Sequence, residues 1–164
     1  MDYKDFVNLW KDGNEKWQNY KFEVGSVAVR LRALFAKQLK INEKSVDKYL
    51  QLFPLSERDE EKIRRTLYSP HACVDFIEAG WAHVGLKLLL EYSENSWPKN
   101  QFIFTISIKK KSNSWTVKIA DDGQSHNLPL EFSEEDLLPI WNEFESLFRH
   151  QTIDRLDNWL KQDD

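Results

Sequence analysis

Residues 85–132 read GLKLLLEYSENSWPKNQFIFTISIKKKSNSWTVKIADDGQSHNLPLEF. Taken in steps of two, Leu86, Leu88, Leu90 and Tyr92 share one face, with Lys87 and Glu91 on the other. Phe102, Phe104, Ile106 and Ile108 alternate with Thr105, Ser107 and Lys109 in the same way. Trp115, Val117 and Ile119 alternate with Thr116 and Lys118, and His126, Leu128, Leu130 and Phe132 form a weaker fourth run. A period of two with one apolar and one polar face is the pattern of antiparallel strands that cover a core on one side. Turn formers separate the runs: Ser93 to Asn100 with Pro98, then Lys111-Ser112-Asn113, then Asp121-Asp122-Gly123. Pro129 places the fourth strand at an edge, where a missing N–H breaks no ladder. The sequence therefore predicts an α+β fold: a four-stranded antiparallel meander over about 84–132, with N-terminal and C-terminal helices packed on one face.

Upstream of the sheet the period changes. Tyr3, Phe6, Val7, Trp10, Trp17 and Tyr20 fall at helical spacing, interrupted near Gly13-Asn14. Ser26 is placed to cap a second helix whose buried stripe is Val27, Leu31, Leu34, Phe35 and Leu39. Ser45 to Phe53 reads as a short helix stopped by Pro54. Ser56 reads as the cap of another helix running to about Tyr68, and Ser69-Pro70 as the start of one ending near Gly80. Downstream, Ser133 with Asp136 three residues on marks a helix start, Phe132 can staple onto Leu137, and Pro139 is expected to kink the second turn. Trp141, Phe144, Leu147 and Phe148 give that helix its apolar stripe; Ile153, Leu156 and Leu160 give a last one. A single domain, 1–164, is expected, with a helical half (1–80) and a half made of the sheet and two C-terminal helices (81–164).

Apolar residues make up 41% and charged residues 30%, a composition that folds rather than staying disordered. The lone Cys73 excludes an intrachain disulfide and suits a reducing compartment. No apolar run approaches the ~20 residues of a membrane span, so a cytoplasmic protein without membrane contact is expected. The net charge of −4 conceals a gradient. Residues 26–50 hold six basic side chains against two acidic, and residues 126–164 ten acidic against three basic, so the two segments can face different partners or each other. Among seven tryptophans, several are expected in the core, whereas Trp97 sits in a polar loop suited to binding.

Signatures of catalysis are missing. The five glycines stand singly, which excludes a phosphate loop or dinucleotide fingerprint, and there is no Gly-x-Ser-x-Gly elbow. His71, Cys73 and Asp75 alternate and His83 follows, but the spacing lacks the paired ligands of a zinc site, and a helix there would turn alternate residues apart. The strand run Thr105 to Lys109 carries lysine without the acid a metal-dependent nuclease requires, and Glu134, Glu135 and Asp136 occupy a helix's first turn, where acids are favoured without any function. No catalytic residue, metal, cofactor or small-molecule ligand is signalled, and no enzyme is expected.

Ala36 to Leu50 is the chain's basic segment, and it resembles a helix-turn-helix unit. Ala36 stands where that motif has a small residue, and Leu39, Ile41, Val46 and Leu50 stand where apolar residues lock the two helices. The resemblance implies that Asn42, Glu43, Lys44, Ser45 and Lys48 face DNA, with Arg30, Arg32, Lys37 and Lys40 on phosphate. Lys40 departs from the pattern, since the motif's turn has glycine there.

The reading that fits the whole chain best is a non-catalytic cytosolic binding or regulatory protein of the inhibitor, immunity or accessory type, acting on a macromolecular partner that is itself a protein. Its contacts are expected from Trp97 and from the acids Glu134, Glu135, Asp136, Glu143, Asp154 and Asp157. A DNA-binding regulator using the helix-turn-helix-like segment 36–50 is the alternative, and an enzyme without a recognisable motif is the third.

Overall fold

The computed structural model of the chain describes residues 1–74, 76–91 and 99–154. Its elements are α1 (Tyr3–Gln38), a 3₁₀ turn (Glu43–Ser45), α2 (Val46–Tyr49), β1 (Leu50–Phe53), α3 (Glu60–Arg65), β2 (Phe76–Glu78), β3 (Trp81–Glu91), β4 (Lys99–Lys110), β5 (Ser114–Ile119), β6 (His126–Pro129) and α4 (Glu134–Arg149), which passes into a π turn (His150–Asp154). Trp97, Asp157, Tyr92, Leu156 and Leu160 lie outside the described residues.

The meander is present and is wholly antiparallel. Strand order is β1-β3-β4-β5-β6, with β2 also paired to β3, so the sheet has six strands rather than four. The pairings Val84↔Ile106, Leu86↔Phe104, Ile106↔Ile119 and Ile108↔Val117 put the apolar alternation of each strand on one face. Pro129 pairs with Ser114 on the edge strand, as a residue without an N–H must.

Two helices cover that face. α1 contributes Val24, Val27, Ala28, Leu31 and Phe35, and α4 contributes Leu137, Ile140 and Phe144; all are buried together with Leu86, Phe104, Ile106 and Val117 in one core. The Phe144 ring stacks on Phe35 at 4.5 Å and tilts against Phe104 at 4.8 Å, joining both helices to the sheet. The start of α4 is as the sequence predicts: Ser133 and Asp136 form a reciprocal capping box, and the helix then runs unbroken through Pro139.

Four local expectations are corrected. The two N-terminal helices are one, because α1 passes through both Gly13 and Gly25. A mid-helix glycine costs only ~1 kcal/mol, and at Gly25 it is required: a Cβ there would lie 1.8 Å from the Pro70 carbonyl oxygen. Residues 50–53 leave the expected helix and become β1, whose pairing with β3 (Leu50↔Leu88, Leu52↔Leu86) buries both leucines. The helix expected from Ser56 starts later, where Asp59 accepts from the Glu61 and Lys62 N–H groups, and ends at Arg65. In place of a helix from Pro70 to Gly80 there is a turn and then β2, joined to β3 by Ala79 and Gly80, both at positive φ (50° and 82°) in the manner of a type I′ hairpin.

The second helix of the helix-turn-helix resemblance is not formed. α1 ends in a Schellman arrangement, with Ile41 N–H donating to Ala36 O and Lys40 N–H to Lys37 O, and Lys40 itself is left-handed at φ 55°. Beyond Ile41 the chain makes only a 3₁₀ turn and four residues of α-helix before it enters β1, too short to lie along a groove. α3 also departs from the one-face layout. It lies over the opposite, outer face of the sheet, where Gln51 Nε2 donates to Arg64 O and Gln101 Nε2 to Glu60 Oε1.

Phe144→Ala is expected to cost about 3–5 kcal/mol of unfolding free energy in urea, as deletion of a buried aromatic does. Lys40→Gly is expected to gain about 0.5–1 kcal/mol by relieving a left-handed lysine; a lower midpoint would show that the stop of α1 depends on the lysine side chain.

Candidate functional site

The buried stripe of α1 does not end where the body of the protein ends. Leu34, Leu31, Val27 and Val24 are in the core, and stepping back by alternating fours and threes gives Tyr20, Trp17, Gly13, Trp10, Phe6 and Tyr3. Spacing of this kind repeats every seven residues and keeps one face of a helix apolar. Tyr20 is the last stripe residue tied to the body: its hydroxyl donates to Gly80 O at 2.6 Å and accepts from Lys110 N–H. Nearby, Gln18 bonds His71, and Glu23 pairs with Lys110 at 2.6 Å. Beyond these anchors, Tyr3 is 82% exposed, Phe6 61%, Trp10 68% and Trp17 43%. This arm is about 22 Å long at 1.5 Å per residue.

Single exposed hydrophobics are ordinary, whereas four aromatic residues along one stripe make a patch. Between the two tryptophans the stripe is notched at Gly13, where, apart from the adjoining residues and the helix's own backbone, nothing lies within 4 Å of where a Cβ would sit. Sequence reading took Gly13 for a break and so lost the register that continues into the core. The other described tryptophans behave differently: Trp115 is buried, Trp141 packs 5.4 Å from Phe35, and Trp81 is half-buried beneath Lys109 and Lys118.

The residues expected to bind DNA or protein turn largely toward one another. Arg30 lies 3.8 Å above the Phe132 ring and donates to its carbonyl at 2.5 Å. Arg32 donates to Leu50 O and pairs with Asp47, Lys37 pairs with Glu134 at 2.7 Å, and Lys48 pairs with Glu91. Lys48 is held above the ordinary lysine range chiefly by the Tyr49 hydroxyl. Asn42 turns back onto the Lys44 N–H, Ser45 makes no side-chain cap, and Lys40 and Lys44 are exposed. Among the acids, Asp136 closes the capping box and Glu135 is exposed. Glu143 takes the Gln124 N–H and His126, fastening the loop before β6 to α4. Asp154 ends the last described turn.

A second feature, on the outer sheet face, was not signalled at all. Alternation puts Lys87 opposite Leu86 and Leu88, on the side expected to be wet, yet it is only 6% exposed. With Gln51, its register partner in β1, and Arg64 of α3, it lines a cavity of about 620 Å³. Burial first, and then the Arg64 guanidinium, lower its pKa below the ordinary lysine value, with Glu60 opposing. Among the described residues, no group of three histidines, cysteines or carboxylates comes together to hold a metal. His71 is bonded to Gln18, His83 to Ser107, and Cys73 is buried with Sγ against Pro70 O; Asp75 lies outside the described residues. No described helix is long and apolar enough to cross a membrane.

Because folding lowers the Lys87 pKa, the unfolded chain holds that proton to higher pH than the folded one, and the lysine's contribution to stability improves as pH rises toward 10.5. Lys87→Met is therefore expected to be as stable as the natural chain or more so at pH 7, with the gap closing by pH 10 in thermal unfolding. A gap that widens with pH would mean that the amine is paired in the fold. No protein-family model, curated protein or solved structure matches this chain, so the roles of its two surfaces rest on their own chemistry.

Proposed function

We propose that the chain is a non-catalytic protein-binding module that docks an amphipathic helix of a partner protein along the exposed half of α1. The observation that carries this reading is the continuity of one seven-residue stripe from the core, through Tyr20, to Trp17, Trp10, Phe6 and Tyr3 in solvent. A repeat of seven is read best by another helix, because knobs from the partner then meet holes at every turn. Gly13 supplies a hole deep enough for a large side chain between two tryptophans. The exposed parts of the four aromatics come to about 500 Å², so with a matching partner the interface reaches about 1,000 Å², the lower bound for specific association.

The polar face of the arm argues against a lipid surface. Lys4, Lys11 and Lys16 are offset by Asp5, Asp12 and Glu15, leaving no net charge to draw the helix to anionic headgroups. A second copy of the chain is one helix of the required kind. With two arms antiparallel and each Trp10 opposite the other's Gly13, each Phe6 meets the other's Trp17.

The experiment is a pair of substitutions read in two ways. Gly13→Ala fills the notch while raising helix propensity by ~1 kcal/mol, and Trp10→Ser removes a knob that touches nothing in the fold. Both variants are expected to melt no lower than the natural chain and to bind at least tenfold more weakly to the partner captured from source cells and purified. Sedimentation of the chain alone reads self-pairing, which both variants would abolish. Unchanged binding and unchanged sedimentation in both variants would refute the reading, and so would a large fall in melting temperature for Trp10→Ser.

A further inference from the structure

The cavity over the outer sheet face is built differently from the arm. Its floor is Lys87 with its neighbours in register, Gln51 of β1 and Leu89 two residues on; its roof is α3, and its wall is the α2 turn. Four cations line it, Lys44, Lys48, Arg64 and Lys87, against two carboxylates, Asp47 and Glu60. Asp47 is already paired with Arg32, while Glu60 accepts from the neutral Gln101 amide and keeps its charge, the one carboxylate that acts on Lys87. Lys48 has Glu91. Lys44, Arg64 and Lys87 have no carboxylate partner among the described residues, and one of them, Lys87, is more than nine-tenths buried. A buried ammonium without a direct ion pair is costly to hold, and at Lys87 the attraction of Glu60 is outweighed by burial and Arg64. Gln51 also keeps Oε1 without a hydrogen-bonding partner, an acceptor that suits a hydroxyl or N–H elsewhere on a ligand rather than its anionic group. The floor is thus polar and unsatisfied rather than greasy.

We infer that this cavity binds a small organic anion, its carboxylate or phosphate group held between the Lys87 ammonium and the Arg64 guanidinium. Arg64 presents a planar fork that suits two oxygens at once, while Lys87 supplies a point charge from below, where the sheet excludes water. A volume of about 620 Å³ falls within the range of small-molecule sites, large enough for the anion and an apolar remainder against Leu89. A bound anion would also raise the Lys87 pKa back toward its ordinary value, opposing the effect of burial and Arg64. The site is independent of the α1 arm, and its failure would leave the protein-binding reading intact.

The test uses the full chain with sodium phosphate and sodium acetate as probes, each against sodium chloride at equal ionic strength, read by thermal shift and by the side-chain NMR signal of Lys87. Phosphate, acetate or both are expected to raise the melting temperature in a saturable way and to move the Lys87 signal, and the probe that acts at lower concentration identifies the headgroup. Lys87→Met and Arg64→Gln are each expected to weaken the response about tenfold or more, the loss of one charge-assisted contact. Arg64 is exposed, so Arg64→Gln folds whatever Lys87→Met does. Saturable shifts that survive both substitutions, or no shift with either probe beyond the chloride control, would overturn the assignment.

Discussion

Three phenylalanine rings hold this fold in its arrangement. Phe144 lies between Phe35 and Phe104, at 4.5 and 4.8 Å, and each ring belongs to a different element: α4, α1 and the central strand β4. Aromatic pairs at such distances add geometric preference to the area they bury, so they fix angles as well as closeness. Trp141 closes the same cluster from the next turn of α4. With the C-terminal half of α1 clamped at Phe35, the helix direction is set, and its other half is carried past the sheet into solvent. The exposed arm results from where the clamp sits along a 36-residue helix.

The two faces of the sheet are therefore used in different ways. The inner face is closed by long helices and aromatic rings. The outer face is closed only in part, by the six residues of α3, tied down through Gln51 and Gln101 rather than by a broad apolar seam. Partial cover is what produces a cavity with a buried floor and charged walls. A naked sheet face would have left Lys87 hydrated, and a full helix would have displaced it.

How much of this was legible in the sequence depends on which forces write themselves locally. The meander was legible because alternation at Leu86–Leu88, Phe104–Ile108 and Trp115–Ile119 is imposed by the pleat. The Ser133 and Asp136 cap was legible because its bonds span three residues. β1 was not: Leu50 to Phe53 is four residues before a proline, and only the distant edge of β3 makes it a strand. The end of α1 was concealed by a lysine at a left-handed position where glycine is usual. The arm was half legible. Its aromatic spacing is plain from Tyr3 to Tyr20, but Gly13 reads as punctuation until the stripe is traced into Val24 and Val27. Lys87 was illegible, because alternation tells which face a residue takes and not what later folds over it.

Local rules are broken at a few places, and the pattern of those breaks supports the reading of both surfaces. A glycine in an exposed helix, large aromatics in water and an unpaired buried amine each weaken the isolated chain, and each has an inexpensive replacement: alanine, a polar side chain, methionine. Other local departures exist, with Lys40, Ala79 and Ala120 at positive φ and the buried Tyr68 hydroxyl without a hydrogen-bond partner, whereas Gly25 is explained by Pro70. Those at Gly13 and Lys87 differ in that each lies on a surface open to a partner. At Gly13 the missing group is a bulky apolar one, and at Lys87 it is a negative charge. The two sites therefore ask for different chemistry, which a helix at one and a small anion at the other would each supply.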